Sequence, residues 1–412
     1  MEQTTYHFDI IIIGAGTVGL TFACILAQQD PKLRMALLDA RPLNNAAPVN
    51  DYDTRVSAIS RSSQQLFMSL GVWPHILTQR YSPYREMQVW DSNGDGSIHF
   101  SSRDIGEADL GHIIEHQVLN FALLQQLQTY PSIQIFAPAQ SKILWQNKDI
   151  LRIDLTNGES LTAKLIVGAD GANSWVRQQA DIPSYAWDYQ QAAVVATVHT
   201  ELPHCHTAWQ RFLTTGPLAF LPLNDPHACS IVWSTSPQHA IELCALPAEK
   251  FQQQLAIAFE YRLGKITAVG PRQHFALKMH HAKNYVKAGL ALIGDALHTI
   301  HPLAGQGVNL GLLDAAWLAE VILTAAHKKR SIGGLHTLRR YERMRKTHNW
   351  ETILAMEGFK QLFTNELPPV IWLRNMGLKL TDQLVPVKQL CMYKALGVME
   401  EMPTFMQTCR LV

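Results

Sequence analysis

The apolar positions of this chain gather into short runs, and the informative runs stop at glycine. Residues 8–13 (FDIIII) predict a buried strand that leads straight into Gly14-x-Gly16-x-x-Gly19. A helix is predicted over 16–29 and a second strand over 34–38, ending at Asp39. Residues 165–167 form another apolar run before Gly168-Ala169-Asp170-Gly171, and 290–293 a further one before Gly294-Asp295. A long apolar helix follows from Val308 to His327. Residues 84–100 alternate instead, around the turn Asn93-Gly94-Asp95-Gly96, while 192–233 and 251–277 add strands and a helix. From His336 the pattern is helical, with a basic start at Arg339-Arg340-Tyr341-Glu342-Arg343-Met344-Arg345-Lys346 and apolar faces through Leu380 and Leu396.

Strands alternating with helices imply an α/β fold. The expected organisation is a Rossmann-like unit built from 1–80, 111–180 and 281–335. A mixed-sheet unit from 81–110 and 181–280 is interleaved with it, and a helical region occupies 336–412.

Backbone physics gives the first glycines their chemistry. Gly14 permits a tight turn, Gly16 lets the backbone approach a pyrophosphate, and Gly19 lets the helix pack on the strand. The helix N-terminus offers free amides and a favourable dipole to phosphate. Asp39 stands about twenty residues further on, where an acid accepts hydrogen bonds from an adenosine ribose. These features predict a dinucleotide site and leave NAD and FAD open.

The later segments make the choice. Asp170-Gly171 by itself also fits a plain turn. Asp295 at a strand end suits the hydroxyls of a polyol such as a ribityl chain. Pro302-Leu303-Ala304-Gly305-Gln306-Gly307 then opens a second helix; a flavin ring placed there meets glycine-exposed amides that stabilise the negative charge it gains on reduction, while Gly305 and Gly307 also fit a plain helix-start turn. Three such segments in this order read as one tightly held FAD.

Composition narrows the setting. At 412 residues the chain exceeds the usual size of one core. It is 47% hydrophobic and 17% charged, with a net charge of +1, which argues against a nucleic-acid surface. No apolar run reaches the roughly eighteen residues of a membrane span, and the first strand leaves no room for a secretory segment. Cys24, Cys205, Cys229, Cys244, Cys391 and Cys409 form no CxxC pair, so reduced packing cysteines are expected. His298 and His301 lack a third partner, as do His204-Cys205-His206, so no metal site is expected.

The three glycine segments resemble the flavoprotein aromatic hydroxylases of the para-hydroxybenzoate hydroxylase fold. The third is similar to the signature of the ubiquinone-biosynthesis hydroxylases, whose pattern HPxAGQGxNLGxxD stands without a gap from His301 to Asp314. The blocks at 53–59, 70–73, 111–115 and 220–223 also look like that family. Those at 87–91, 180–190, 226–233 and 338–346 look most like its hydroxylases of octaprenylphenol at ring carbon C5.

The resemblance implies a monooxygenase using FAD, transient NADPH or NADH, and O2 through a C4a-hydroperoxyflavin, acting on a polyprenylated phenol. It implies Gly14, Gly16 and Gly19 at the pyrophosphate, Asp39 at the ribose, and Asp170 and Gly171 at FAD or the nicotinamide. Gly294 and Asp295 go to the ribityl or phosphate groups, and Gly305, Gly307, Val308 and Asn309 to the ring. Arg55 and Pro302 are the catalytic candidates beside the flavin, and no residue is singled out to activate the phenol. Phe212, Phe220, Leu221 and Trp233 fit either a substrate cavity or ordinary core.

Three departures stand out. Asp39 stands where relatives often carry glutamate and reaches the ribose with a shorter arm, Leu297 replaces a usual alanine and is expected to crowd the ribityl region slightly, and His116-Gln117 stand where relatives place an arginine. The resemblance further implies a cytoplasmic homo-oligomer, peripheral on the inner membrane or within a ubiquinone-biosynthesis assembly. Its basic 339–346 segment serves either as a membrane surface or as a solvated helix face. Open alternatives are hydroxylation at another ring carbon (of a 6-methoxyphenol or a 3-methyl-6-methoxybenzoquinol), a prenyl reductase, and a non-catalytic FAD-holding scaffold.

Overall fold

The computed structural model describes residues 4–48, 51–147, 150–300, 307–398 and 401–407. Its centre is a six-stranded sheet in which Ile10–Ile13 lies between Met35–Leu38 and Leu165–Gly168, with all three parallel. Ile133–Phe136 closes one side, and Leu290–Leu292 and Val286–Lys287 the other. Helices pack on one face and a four-stranded sheet (Thr5–His7, Ser160–Ala163, Ile150–Leu155 and Ser141–Asn147) on the other, so Ile10, Ile11 and Ile12 have no exposed surface, as expected for a central parallel strand. The register pairs Ile13 with Leu38 and with Gly168, and Gly168 with Leu292. Four strands therefore end at one level, and the loops after them share one edge.

The Thr17–Gln29 helix packs on this sheet and against the Gly307–His327 helix. The latter is 21 residues long, and an 18-residue window of it has a mean hydropathy of 1.5, enough by length and composition alone to cross a membrane. Asn309, Asp314 and Glu320 keep it from being an unbroken apolar run. The helix is mostly buried within the protein, and Asp314 has no exposed surface.

A second sheet of nine strands lies beyond the first. In order these are His298–Thr299, Gln273–Ala282, Ser184–Thr200, Ala228–Thr235, Gly216–Pro222, Thr207–Leu213, Glu86–Asp91 and Ser97–Ser101, with Ile266–Val269 also paired to Ser184–Thr200. The segment just after Asp295 thus crosses from the first sheet into the second. Side-chain alternation gives this sheet two faces. Cys229, Ile231 and Trp233 pack with Phe220, Phe251 and Phe259 on one face. Ser230, Val232 and Ser234 point into a large cavity on the other.

Three helices follow, Leu335–Thr364, Pro368–Gln383 and Val385–Leu396. The basic start of the first is not wholly a surface: Arg345 is buried against Asp314, whereas Arg339, Arg340 and Arg343 are exposed. The Pro368–Gln383 helix is pinned to the second sheet by Arg374, which donates to Asp91 at 2.6 and 3.1 Å and to the carbonyls of Leu362, Phe363 and Asn365. Asn375 adds a bond to Asp91 at 2.9 Å and accepts one from the Gly96 amide at 2.6 Å.

Removing one partner of such a pair strands the other as a buried charge. Arg374→Ala should therefore cost about 3–5 kcal/mol in equilibrium denaturation. The double variant Arg374→Met/Asp91→Asn should recover most of that loss.

Candidate functional site

The glycine turn sits at the shared strand edge. Gly14 has φ +106°, a value that disfavours any side chain. A Cβ at Gly19 would overlap the Gly14 carbonyl oxygen, so helix and turn touch backbone to backbone. Gly16 differs, since a Cβ there meets no atom within 4 Å. It caps the Thr17–Gln29 helix without any side-chain hydrogen bond, leaving the first amides available to a ligand. Asp39 is fixed beside them, accepting from the amides of Ala15 at 2.9 Å and Arg41 at 2.8 Å.

Asp170 works mainly on its own loop. Its carboxylate accepts from Ser174 Oγ at 2.5 Å and the Val176 amide at 3.1 Å, capping the short Trp175–Gln179 helix, and burial raises its pKa. This holds Gly171 at the cavity wall, where a Cβ would again meet nothing within 4 Å. Arg177 reaches from the same loop to the Ala296 carbonyl at 2.7 Å and to His280 at 3.0 Å, bracing the turn that carries Asp295.

Asp295 keeps exposed surface but opens only onto the cavity, with protein packed around it. That burial raises its pKa, while the positive fields of His298 and Arg55 oppose the rise. Arg55 lines the same cavity and is exposed. His116 and Gln117 line it too. Burial, and then Arg55, hold His116 down at about 4, so it is neutral at neutral pH, bonded to Ser57 Oγ at 2.7 Å. Gln117 is turned to Glu115 at 2.8 Å.

At the second helix start, Gly307, Val308 and Asn309 line the cavity. The Asn309 side chain is fully engaged elsewhere. It accepts from the Ser60 amide at 3.1 Å and Ser63 Oγ at 2.8 Å, and donates to the Ala58 carbonyl at 2.8 Å. Only its backbone is left for a ligand. Pro302 and Gly305, with His301, lie outside the described residues. Leu297 is a correction: it is fully buried in the main core and does not line the cavity, so it crowds nothing there.

Sequence reasoning missed the network beneath this turn. Asp314 accepts from His298 at 2.6 Å, Arg345 at 3.0 Å and Asn349 at 3.1 Å. Burial alone would raise this carboxyl, but His298 and Arg345 outweigh it and hold it at about 2. Asp314 closes the glycine signature in the sequence, which was the available signal. Its partners lie at sequence separations that no local pattern reveals. Among the described residues, no group of three or more His, Cys, Asp or Glu is placed to hold a metal.

The cavity has a volume of about 2100 Å³ and runs from Gly14 to the C-terminal helices. Phe212 and Leu221 line it, whereas Phe220 and Trp233 do not, because strand alternation turns them to the opposite core. Its floor on the second sheet is apolar apart from a few groups. Ser230 and Ser234 border it, both almost fully buried, and their hydroxyls have no hydrogen-bond partner. Their oxygens have almost no accessible surface, so both hydroxyls lie just beneath the floor and add no polar contact to it.

Comparison with known proteins agrees with this geometry. The family model described as FAD binding domain matches residues 7–355. The chain is 37% identical to the ubiquinone biosynthesis monooxygenase COQ6, mitochondrial, of Danio rerio, covering 93% of this chain and 88% of that protein. It is also 37% identical to the 3-demethoxyubiquinol 3-hydroxylase of Escherichia coli, covering 96% of this chain and 100% of that protein. Among solved structures it resembles p-nitrophenol 4-monooxygenase from Pseudomonas putida, with a TM-score of 0.76 and 16% identity over 96% of this chain and 99% of that one.

Two glycines separate the phosphate cradle from the fold. Gly16→Val should leave circular dichroism and stability near wild type but yield protein that loses its yellow colour on gel filtration. Gly19→Val should unfold or fail to accumulate, because its side chain meets the Gly14 backbone.

Proposed function

The chain belongs to the FAD-binding monooxygenases that include the ubiquinone-biosynthesis hydroxylases, and from that premise we propose that it hydroxylates a polyprenylated phenol at ring carbon C5, with NADPH or NADH as reductant. One observation carries the reading. The cradle at Gly16, the Asp295 turn and the apolar floor under the second sheet are one continuous space. A redox cofactor and an apolar ring can therefore meet in it without a wall between them.

The residues fit FAD. Gly14, Gly16 and Gly19 would take the pyrophosphate, Asp39 the adenosine ribose, Gly171 the chain beyond it, and Gly294 and Asp295 the ribityl hydroxyls. The amides of Gly307, Val308 and Asn309 would face the ring. Arg55 supplies positive charge on the same side, by the logic of preorganised electrostatics. When bound, FAD supplies the chemistry that the protein side chains lack, accepting hydride and activating O2. The protein positions the ring and excludes water from it. The floor under the second sheet, with Val195, Val232 and Leu221 among its lining residues, encloses an apolar ring.

The nicotinamide has no second βαβ unit among the described residues, which supports transient reduction at the flavin. The tail of a polyprenyl substrate belongs in a bilayer, so we place the enzyme at a membrane face.

A second reading concerns the ring carbon. The Escherichia coli relative, a 3-demethoxyubiquinol 3-hydroxylase, is aligned over its whole length. Expression in strains blocked at each ring hydroxylation, with quinones read by mass spectrometry, decides between positions, and rescue of only the C5 block is expected. Purified protein should be yellow and consume NAD(P)H and O2 faster when a prenylphenol is added. Oxygen-independent double-bond reduction, or no turnover, would overturn the hydroxylase reading.

Ser230→Ala and Ser234→Ala each remove a buried hydroxyl without a partner, so each should leave kcat/KM for the phenol near wild type and raise stability by about 1 kcal/mol in equilibrium denaturation.

A further inference from the structure

The last two helices carry an apolar surface that the fold leaves uncovered. Trp372, Leu373, Leu380 and Leu384 are 63, 60, 49 and 51% exposed, and Leu390 and Val398 extend the series at 46 and 44%. On Pro368–Gln383 the exposed positions recur at helical spacing, so they form a stripe rather than scattered side chains. A stripe of this kind on a folded protein marks an interaction site.

Two observations identify what it meets. The first is that stripe and cavity join. Leu373 and Val387 are exposed on the outside and also line the cavity, one from each helix of the hairpin. The cavity therefore opens to the exterior between two apolar lips. An opening of that kind suits a hydrocarbon chain passing outward, since a polar ligand would gain nothing from it.

The second observation is charge. No Asp or Glu occurs from Val370 to Thr381 or from Val385 to Val398, whereas Arg374, Lys379, Lys388 and Lys394 lie there. Arg374 and Lys388 are turned inward to Asp91 and Asp104. Lys379 is exposed in a surface ion pair with Asp95 at 2.5 Å, and Lys394 is exposed. An outward tryptophan, aliphatic side chains and a lysine at the margin match an anionic lipid surface, where the indole sits at headgroup depth and a lysine reaches phosphates.

We propose that the outer face of the Pro368–Gln383 and Val385–Leu396 hairpin docks on an anionic lipid bilayer, so that the gap between Leu373 and Val387 opens directly into hydrocarbon. This rests on the prenylphenol reading given above and adds the route to it. The ring enters the chamber over the second sheet while the tail stays in the membrane.

The test uses the full-length, flavin-loaded protein. Flotation is measured on vesicles of phosphatidylethanolamine with phosphatidylglycerol and on phosphatidylcholine vesicles. Wild type should float with the anionic vesicles and much less with the neutral ones. Trp372→Glu/Leu380→Glu changes two outward side chains that do not line the cavity. It should lower the bound fraction at least tenfold and slow turnover of a long-chain phenol presented in vesicles. Its turnover of a water-soluble short-chain phenol should match wild type.

The inference is overturned if wild type does not float, or if the variant floats equally well. It is also overturned if light scattering shows wild type as a dimer that the variant dissociates without any vesicle binding, since the face then belongs to a second copy. The underlying activity is judged separately by the short-chain phenol. Its failure in wild-type protein that floats normally sinks the hydroxylase reading and not the docking.

Discussion

Parallel strands leave little freedom in where a sheet stops. Once Ile13 is in register with Leu38 and Gly168, and Gly168 with Leu292, the loops after four strands must emerge side by side. These loops come from parts of the chain more than 250 residues apart, yet the ladder places Gly14, Asp39, Gly171 and Asp295 around one opening. A ligand held by backbone amides needs that arrangement, because amides cannot reach as side chains do. The apolar residues of the strands thus have a functional role, setting the level at which the binding turns begin.

A second constraint lies below the turn. Asp314 has no access to water, and the cationic partner Arg345 comes from the first of the C-terminal helices. The helix that faces the cofactor space and the helices that roof the substrate space are therefore joined through one carboxylate. Asn309 makes a similar join near the start of the same helix, tying it to Ser60 and Ala58. The cavity is consequently walled by elements that hold one another in place.

Much of this was legible in the sequence, for physical reasons that can be named. Glycines required by steric contact, and strands buried on both faces, leave local signals, so the first turn and its helix could be placed to within a residue or two. The long glycine signature was legible as a helix start, though its first residues lie outside the described set. Other features left weaker traces. Whether Phe220 or Leu221 faces the cavity depends on the phase of a strand, and a one-residue change in phase exchanges them. Leu297 read as an intrusion because sequence gives no direction to a side chain on a single turn. The partners of Asp314 and Asp91 were invisible, since each salt bridge is made across a distance that only the finished topology sets.

The latch between Asp91 and Arg374 spans 283 positions of the chain. During synthesis the acid emerges long before its arginine exists, so the hairpin over the cavity is necessarily the last part to settle. Until then the nucleotide cradle, whose final strand precedes residue 300, is already complete and open from above. Cofactor loading therefore has a window on the ribosome, before the roof arrives. Truncations that spare the parallel sheet but remove the final helices would retain the first half of that assembly order and lose the second.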